Sequence, residues 1–241
     1  MRGVQTGLIV LCALFATTAA IASEPIYVEA GSDDANFAAF ILNADSQCSA
    51  SLLAPDIVVT AAHCFDKGTD AFRFVIGVDP EDMVRNKSRW RQIVEVRKHP
   101  RYSAQGVTGK ISEFDVALAR LDEPADLEPG RMRLDRIAQS LEPWSGLDSL
   151  GFGVHMEGGE TQPIHRLKWR NWTYFKGMGL ASLNLVMGNP VCGRDSGGPV
   201  FVKTGSAHFS IGVMVSRTKD GNCRDRRSGA HLFAASYHWL H

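Results

Sequence analysis

Three short stretches carry residue types that can do nucleophilic chemistry together. Cys192-Gly193-Arg194-Asp195-Ser196-Gly197-Gly198-Pro199 sets a serine in a run of small, turn-forming residues, with Val191 before it and Val200-Phe201-Val202 after it. The glycines after Ser196 permit backbone conformations closed to other residues and leave room for a second molecule beside the hydroxyl. A serine hydroxyl is a weak nucleophile at neutral pH and needs a base to take its proton. His63 offers one, in Thr60-Ala61-Ala62-His63-Cys64 directly after the apolar run Ile57-Val58-Val59. Asp115 is an acid inside an apolar segment, Phe114-Asp115-Val116-Ala117-Leu118. Singly, each has an ordinary structural reading: a turn serine, a core histidine, a strand-end cap.

Taken together, in the order His…Asp…Ser, the stretches TAAHC, DVAL and DSGGP resemble the trypsin/chymotrypsin family of serine endopeptidases. That chain order separates the family from two unrelated folds with the same three residues. The resemblance runs from about Phe37 to the C-terminus and also takes in His99-Pro100-Arg101-Tyr102, similar to an HPxY turn, and Gly151-Phe152-Gly153, similar to a GWG turn. It implies Ser196 as nucleophile, His63 as general base and then acid, and Asp115 as the group that holds the imidazole tautomer. It implies an oxyanion hole built from the backbone amides of Arg194 and Ser196. Arg194 departs from the family, where glycine is usual, and its side chain would project over the leaving-group side of the cleft. Ser216 resembles the serine that bonds the catalytic acid.

The resemblance also places Pro190 at the floor of the primary specificity pocket, with Ser216, Thr218 and Gly229 along its walls. An uncharged floor leaves a substrate Arg or Lys without a partner, which is costly for a buried charge. Small or medium uncharged side chains are therefore expected there, unless the alignment slips over 217–222 and brings Asp220 or Asp225 to the pocket. Asp195 is a further departure. In the family its carboxylate pairs with an amine freed by cleavage after a basic residue, before an IVGG-like start. Here the nearest candidate is Pro25-Ile26-Tyr27-Val28, and no Lys or Arg stands between the predicted leader and Ile26.

The elements that must position these residues read as short strands. Phe37 to Leu42, Ser51 to Leu53, Ile57 to Thr60, Phe72 to Val78, Arg91 to Arg97 and Val116 to Leu121 are strand candidates separated by Asp, Pro and Gly. Gly158-Gly159 marks a hairpin, Ile164 to Phe175 reads as a strand pair, and Val200 to Val202 and Ser210 to Ser216 flank the serine stretch. Many short strands at regular spacing fit an all-β barrel class. The resemblance sharpens this to two packed six-stranded antiparallel β-barrels with a short C-terminal helix at 234–241. The expected divisions are 1–22, 23–127 and 128–241, with a linker near Pro124 to Gly130.

Residues 1–22 read as a cleaved secretory signal, from Arg2, the apolar run Leu8 to Phe15 and the small-x-small Ala20-Ile21-Ala22. The run is shorter than the ~20 residues of a membrane span. Without Cys12, four cysteines remain, and an even count in an exported chain reads as disulfides with three possible pairings. The resemblance implies Cys48–Cys64 and Cys192–Cys223. Zinc binding through His63 and Cys64 is the alternative, but no paired C-x-x-C spacing supports it, and no metal or organic cofactor is expected. Lys plus Arg equals Asp plus Glu at 26 each, so nothing points to nucleic acid or an anionic membrane. The expected partners are protein or peptide substrates and protein inhibitors, met by a secreted or periplasmic monomer. A protease-like binding protein without turnover and an esterase with the same chemistry are the competing readings.

Overall fold

The computed structural model describes residues 26–28, 37–43, 46–68, 71–76, 85–103, 114–126, 146–153, 155–157, 160–162, 168–174, 182–187, 192–204, 207–215 and 227–232. Its elements are strands, apart from short 3-10 turns. In the N-terminal part these are β1 (Ile26–Tyr27), β2 (Ala38–Leu42), β3 (Gln47–Ala54), β4 (Ile57–Thr60), β5 (Arg73–Ile76), β6 (Trp90–Lys98) and β7 (Ala117–Leu121). Six of them close an antiparallel barrel in the order β2-β3-β4-β7-β6-β5. β7 sits between β4 and β6, so the segment carrying Asp115 is drawn alongside the strand that leads into His63.

The unbroken apolar run in β2 follows from period-2 geometry with both faces buried. Ala39 and Ile41 point into the barrel, beside Leu52, Val58, Phe74 and Leu121. Ala38 and Phe40 point the other way, and with Phe37 and Val75 they meet Leu150, Phe152 and Phe201 from the second half. Each fully buried phenylalanine here contributes about 1.5–3 kcal/mol. Val59, Val116 and Val213 form a second contact between the halves. β6 buries Ile93 and exposes Gln92, Val94 and Arg97. Strict period-2 alternation would put Arg97 on the Ile93 face, and it is interrupted by the register shift between Ile93 and Glu95.

The second half comprises β8 (Gly146–Gly151), β9 (His155–Glu157), β10 (Glu160–Gln162), β11 (Lys168–Tyr174), β12 (Ser182–Met187), β13 (Pro199–Thr204), β14 (Ala207–Val215) and β15 (Arg227–Leu232). Seven strands form a sheet in the order β1-β11-β12-β15-β14-β13-β8, and β8 also pairs with β11. β9 and β10 pair across Glu157 and Glu160, around the predicted Gly158-Gly159 hairpin. β1, which precedes the barrel strands in the chain, joins the second sheet through β11.

Two expectations are corrected. The stretch read as a strand pair over 164–175 holds a single described strand, β11, with β8 on one side and β12 on the other. No Gly or Pro interrupts it, so nothing forces a turn. β12 and β15 were not expected as strands, because glycines at 177, 179 and 188 obscure the first and charged residues crowd the second. The predicted signal segment and the C-terminal helix lie outside the described residues, as does the predicted linker beyond Asp126. The first residues of that linker are described, with Ala125 buried in the barrel core and its amide donating to Pro55 O at 2.6 Å. Among the described residues, no helix is long and apolar enough to cross a membrane.

Candidate active site

β4 ends at Thr60 and the chain turns into a 3-10 segment, Ala62–Phe65, closed by the Asp66 amide donating to His63 O at 3.1 Å. Ala62, Cys64 and Phe65 are buried, which leaves His63 as the residue of the turn that faces outward. Cys64 forms a disulfide with Cys48 of β3 and so ties the turn to the barrel wall. The potential metal donors of Cys48, His63 and Cys64 lie within 4.8 Å of one another, but the two sulfurs are bonded to each other and offer no thiolate. Below the turn, Asp66 accepts from Tyr102 Oη and Lys98 Nζ, each at 2.7 Å. A surface pair of this kind contributes at most about 1 kcal/mol.

Asp115 is 2% exposed, and its carboxylate takes two bonds from one residue. His63 N donates to Oδ1 at 2.9 Å, and His63 Nδ1 lies 2.7 Å from Oδ2. An ionised carboxylate only accepts, so a neutral imidazole in this contact carries its proton on Nδ1 and leaves the Nε2 lone pair free. Phe114, just before Asp115, is held at φ +63°, a conformation uncommon outside glycine. Its ring is stacked on His99 at 4.6 Å between centroids, with the Arg101 guanidinium 4.1 Å from its centre. These contacts fix the chain where the acid leaves for His63.

His99 itself is buried, and its Nδ1 accepts the Arg101 amide at 3.1 Å. Burial, and then the Arg101 charge, hold its imidazole below the ordinary 6.5. The unfolded chain takes that proton up more readily, so His99 contributes stability above about pH 6.5 that is lost as pH falls below it. The urea midpoint is expected to fall between pH 7 and pH 5 more steeply in wild type than in His99→Gln. Parallel pH profiles for the two proteins would contradict this.

Ser196 is buried at the tip of a turn bonded on every side. Its carbonyl accepts Ser49 N at 2.8 Å, and it lies 4.0 Å from Cys64 Sγ, next to His63 in sequence. Gly197 takes φ +82° and donates to Met214 O at 2.7 Å. The Asp195 carboxylate is fully buried and accepts Gly153 N at 2.7 Å and Cys192 N at 2.9 Å. A Cβ at Gly151 or at Gly153 would run into that carboxylate, which accounts for both glycines of the Gly-Phe-Gly turn. Arg194 is half-buried, at φ +76°.

The family model described as Trypsin matches residues 28–239. The chain belongs to the trypsin family. It is 26% identical over 219 residues to coagulation factor XII of Sus scrofa, across 79% of this chain and 34% of that protein. It is 36% identical over 98 residues to a modular serine protease of Drosophila melanogaster, across 34% of this chain and 14% of that protein. The chain thus spans about a third of the first relative and about a seventh of the second. One closed barrel and a second sheet agree with a chymotrypsin-like fold.

Of the residues that the trypsin-family resemblance singles out, His63 and Asp115 are in direct contact, and Ser196 is anchored beside the Cys64 end of the same turn. Cys192 is disulfide-bonded, and Cys223 lies outside the described residues. Gly229 is in β15, paired with Asn184 and Val215. Pro190, Ser216 and Thr218 lie outside the described residues. Ile26, the candidate processing site, is in β1 opposite Trp169. Sequence reasoning missed Ser49 and the roles of the Gly153 and Cys192 amides. Nothing local marks a serine of β3 as a partner of the serine turn.

Proposed function

We propose that the protein is a secreted serine endopeptidase that hydrolyses peptide bonds through an acyl-enzyme on Ser196. The observation that carries this reading is the buried Asp115 carboxylate, which holds both the amide and the ring of His63 at 2.9 and 2.7 Å. With its proton on Nδ1, His63 takes the Ser196 hydroxyl proton at Nε2 while Oγ adds to the scissile carbonyl. The carbonyl oxygen becomes an oxyanion. The Asp195 amide donates to Cys192 O at 3.1 Å, so our reading gives the oxyanion to the Arg194 and Ser196 amides. The tetrahedral species collapses, the C–N bond breaks, and His63 returns the proton to the leaving amine. A water, deprotonated by His63, then releases the acid and restores Ser196.

The same reading takes residues 1–22 as a cleaved signal, 23–127 and 128–241 as the two barrel halves, and Cys223 as the partner of Cys192. The pairing of β8 with β11 supports a second barrel, since it joins two strands that the sheet order otherwise separates. Pro190, Ser216, Thr218 and Gly229 form an uncharged specificity pocket that favours small or medium side chains before the cut. Protein or peptide chains are the substrates, and protein inhibitors are the expected partners. A binding protein without turnover is the second reading, favoured by arginine rather than glycine at 194.

A fluorophosphonate probe separates the two. The purified protein is expected to be labelled at Ser196, with no labelling of Ser196→Ala. A folded wild type that stays unlabelled would favour the binding protein.

A further inference from the structure

Ser49 belongs to β3 of the barrel, yet most of its hydrogen bonds cross to the other half. It is 1% exposed. Its amide donates to Ser196 O at 2.8 Å, and its carbonyl accepts Thr60 Oγ1 at 2.8 Å. Its hydroxyl lies 2.9 Å from Phe152 N and 2.8 Å from Arg194 O. The direction of both hydroxyl bonds is fixed by the partners. A backbone N–H only donates, so Oγ accepts from Phe152, and its one proton goes to the Arg194 carbonyl. Arg194 is the residue at φ +76°, where a side chain with a Cβ is strained and glycine is not.

We propose that Ser49 is a positioning residue for the oxyanion-binding turn. Its hydroxyl clamps the Arg194 carbonyl and holds the Arg194–Ser196 peptides in register, so that arginine is accommodated at a left-handed position. Asp195 secures the other side of the same loop through Gly153 and Cys192, and the Ser49 hydroxyl secures the side that faces the barrel. This inference rests on the serine endopeptidase reading.

The test is a double-mutant cycle of wild type, Ser49→Ala, Arg194→Gly and the double variant, assayed on one peptide substrate. Ser49→Ala is expected to lower kcat by about 10–100-fold, short of the roughly 10²–10³-fold that loss of a whole oxyanion donor costs. KM should change less than about threefold, since a transition-state contact rather than ground-state binding is affected. In the Arg194→Gly background the same substitution should cost less than about threefold, because glycine takes φ above zero unaided. Equal losses in both backgrounds, or no loss in either, would overturn the proposal. If Ser49→Ala does not fold, the double variant decides: folding there supports the clamp, and failure there assigns the hydroxyl to Phe152 alone and overturns it. A wild type unreactive to fluorophosphonate counts against the endopeptidase reading instead. The clamp is then read from thermal midpoints, which should drop less on Ser49→Ala in the glycine background. Equal drops would overturn it.

Discussion

Asp115→Asn is expected to lower kcat by about four orders of magnitude while leaving the fold intact. The carboxylate accepts from His63 N at Oδ1 and faces Nδ1 at Oδ2. An amide of the same shape puts a donor on one side. If the NH₂ faces the ring, Nδ1 must become an acceptor, the proton moves to Nε2, and the base toward Ser196 is lost. If it faces the His63 amide, two donors oppose each other in a site that is 2% exposed, and the turn is pushed out of register. Ser196→Ala and His63→Ala are expected to fall as far, and Ser196→Ala/His63→Ala no further, because the groups act as a unit. The measurement is kcat and KM on a peptide substrate, with circular dichroism as the check on folding. Asp115→Asn within tenfold of wild type would remove the acid from the mechanism.

Gly197→Ala should be among the most damaging single-methyl additions in the molecule. At φ +82° an alanine is strained by about 1–2 kcal/mol. Its Cβ would also overlap Thr60 Oγ1 and the Ser49 carbonyl and come within 2.9 Å of Ala61 N. Backbone atoms cannot swing aside as a side chain can, and overpacking of this kind adds about 1–3 kcal/mol. The sum, about 2–5 kcal/mol, corresponds to a thermal midpoint lower by roughly 5–15 °C in a chain of this size. Gly193→Ala is the control, since a Cβ there meets nothing within 4 Å. It should stay within about 0.5 kcal/mol of wild type, as most surface changes do. Equal midpoints for the two variants would show that the serine turn is not packed as described.

The residues proposed for the chemistry stand out in the sequence because they sit in short local patterns. The bounds of β4, Ile57–Thr60, were legible for the same reason, as a β-branched run ending where TAAHC begins. The order of strands was not. β7 lies between β4 and β6 because closing the barrel buries Leu121, Val58 and Ile93 together, a choice made by packing between distant segments. That closure brings Asp115 to His63 across 52 positions in sequence. Packing of the two halves against Phe37, Phe40, Phe152 and Phe201 then sets Ser49 against Arg194 across 145 positions. A serine among Gln47-Cys48-Ser49-Ala50-Ser51 carries no local sign of that role. By itself, then, the sequence determined which residues were available for chemistry and the short strands that carry them. The tertiary structure decided which donor meets which acceptor, because each of those bonds depends on burial that only the closed barrel and its contact with the second sheet supply.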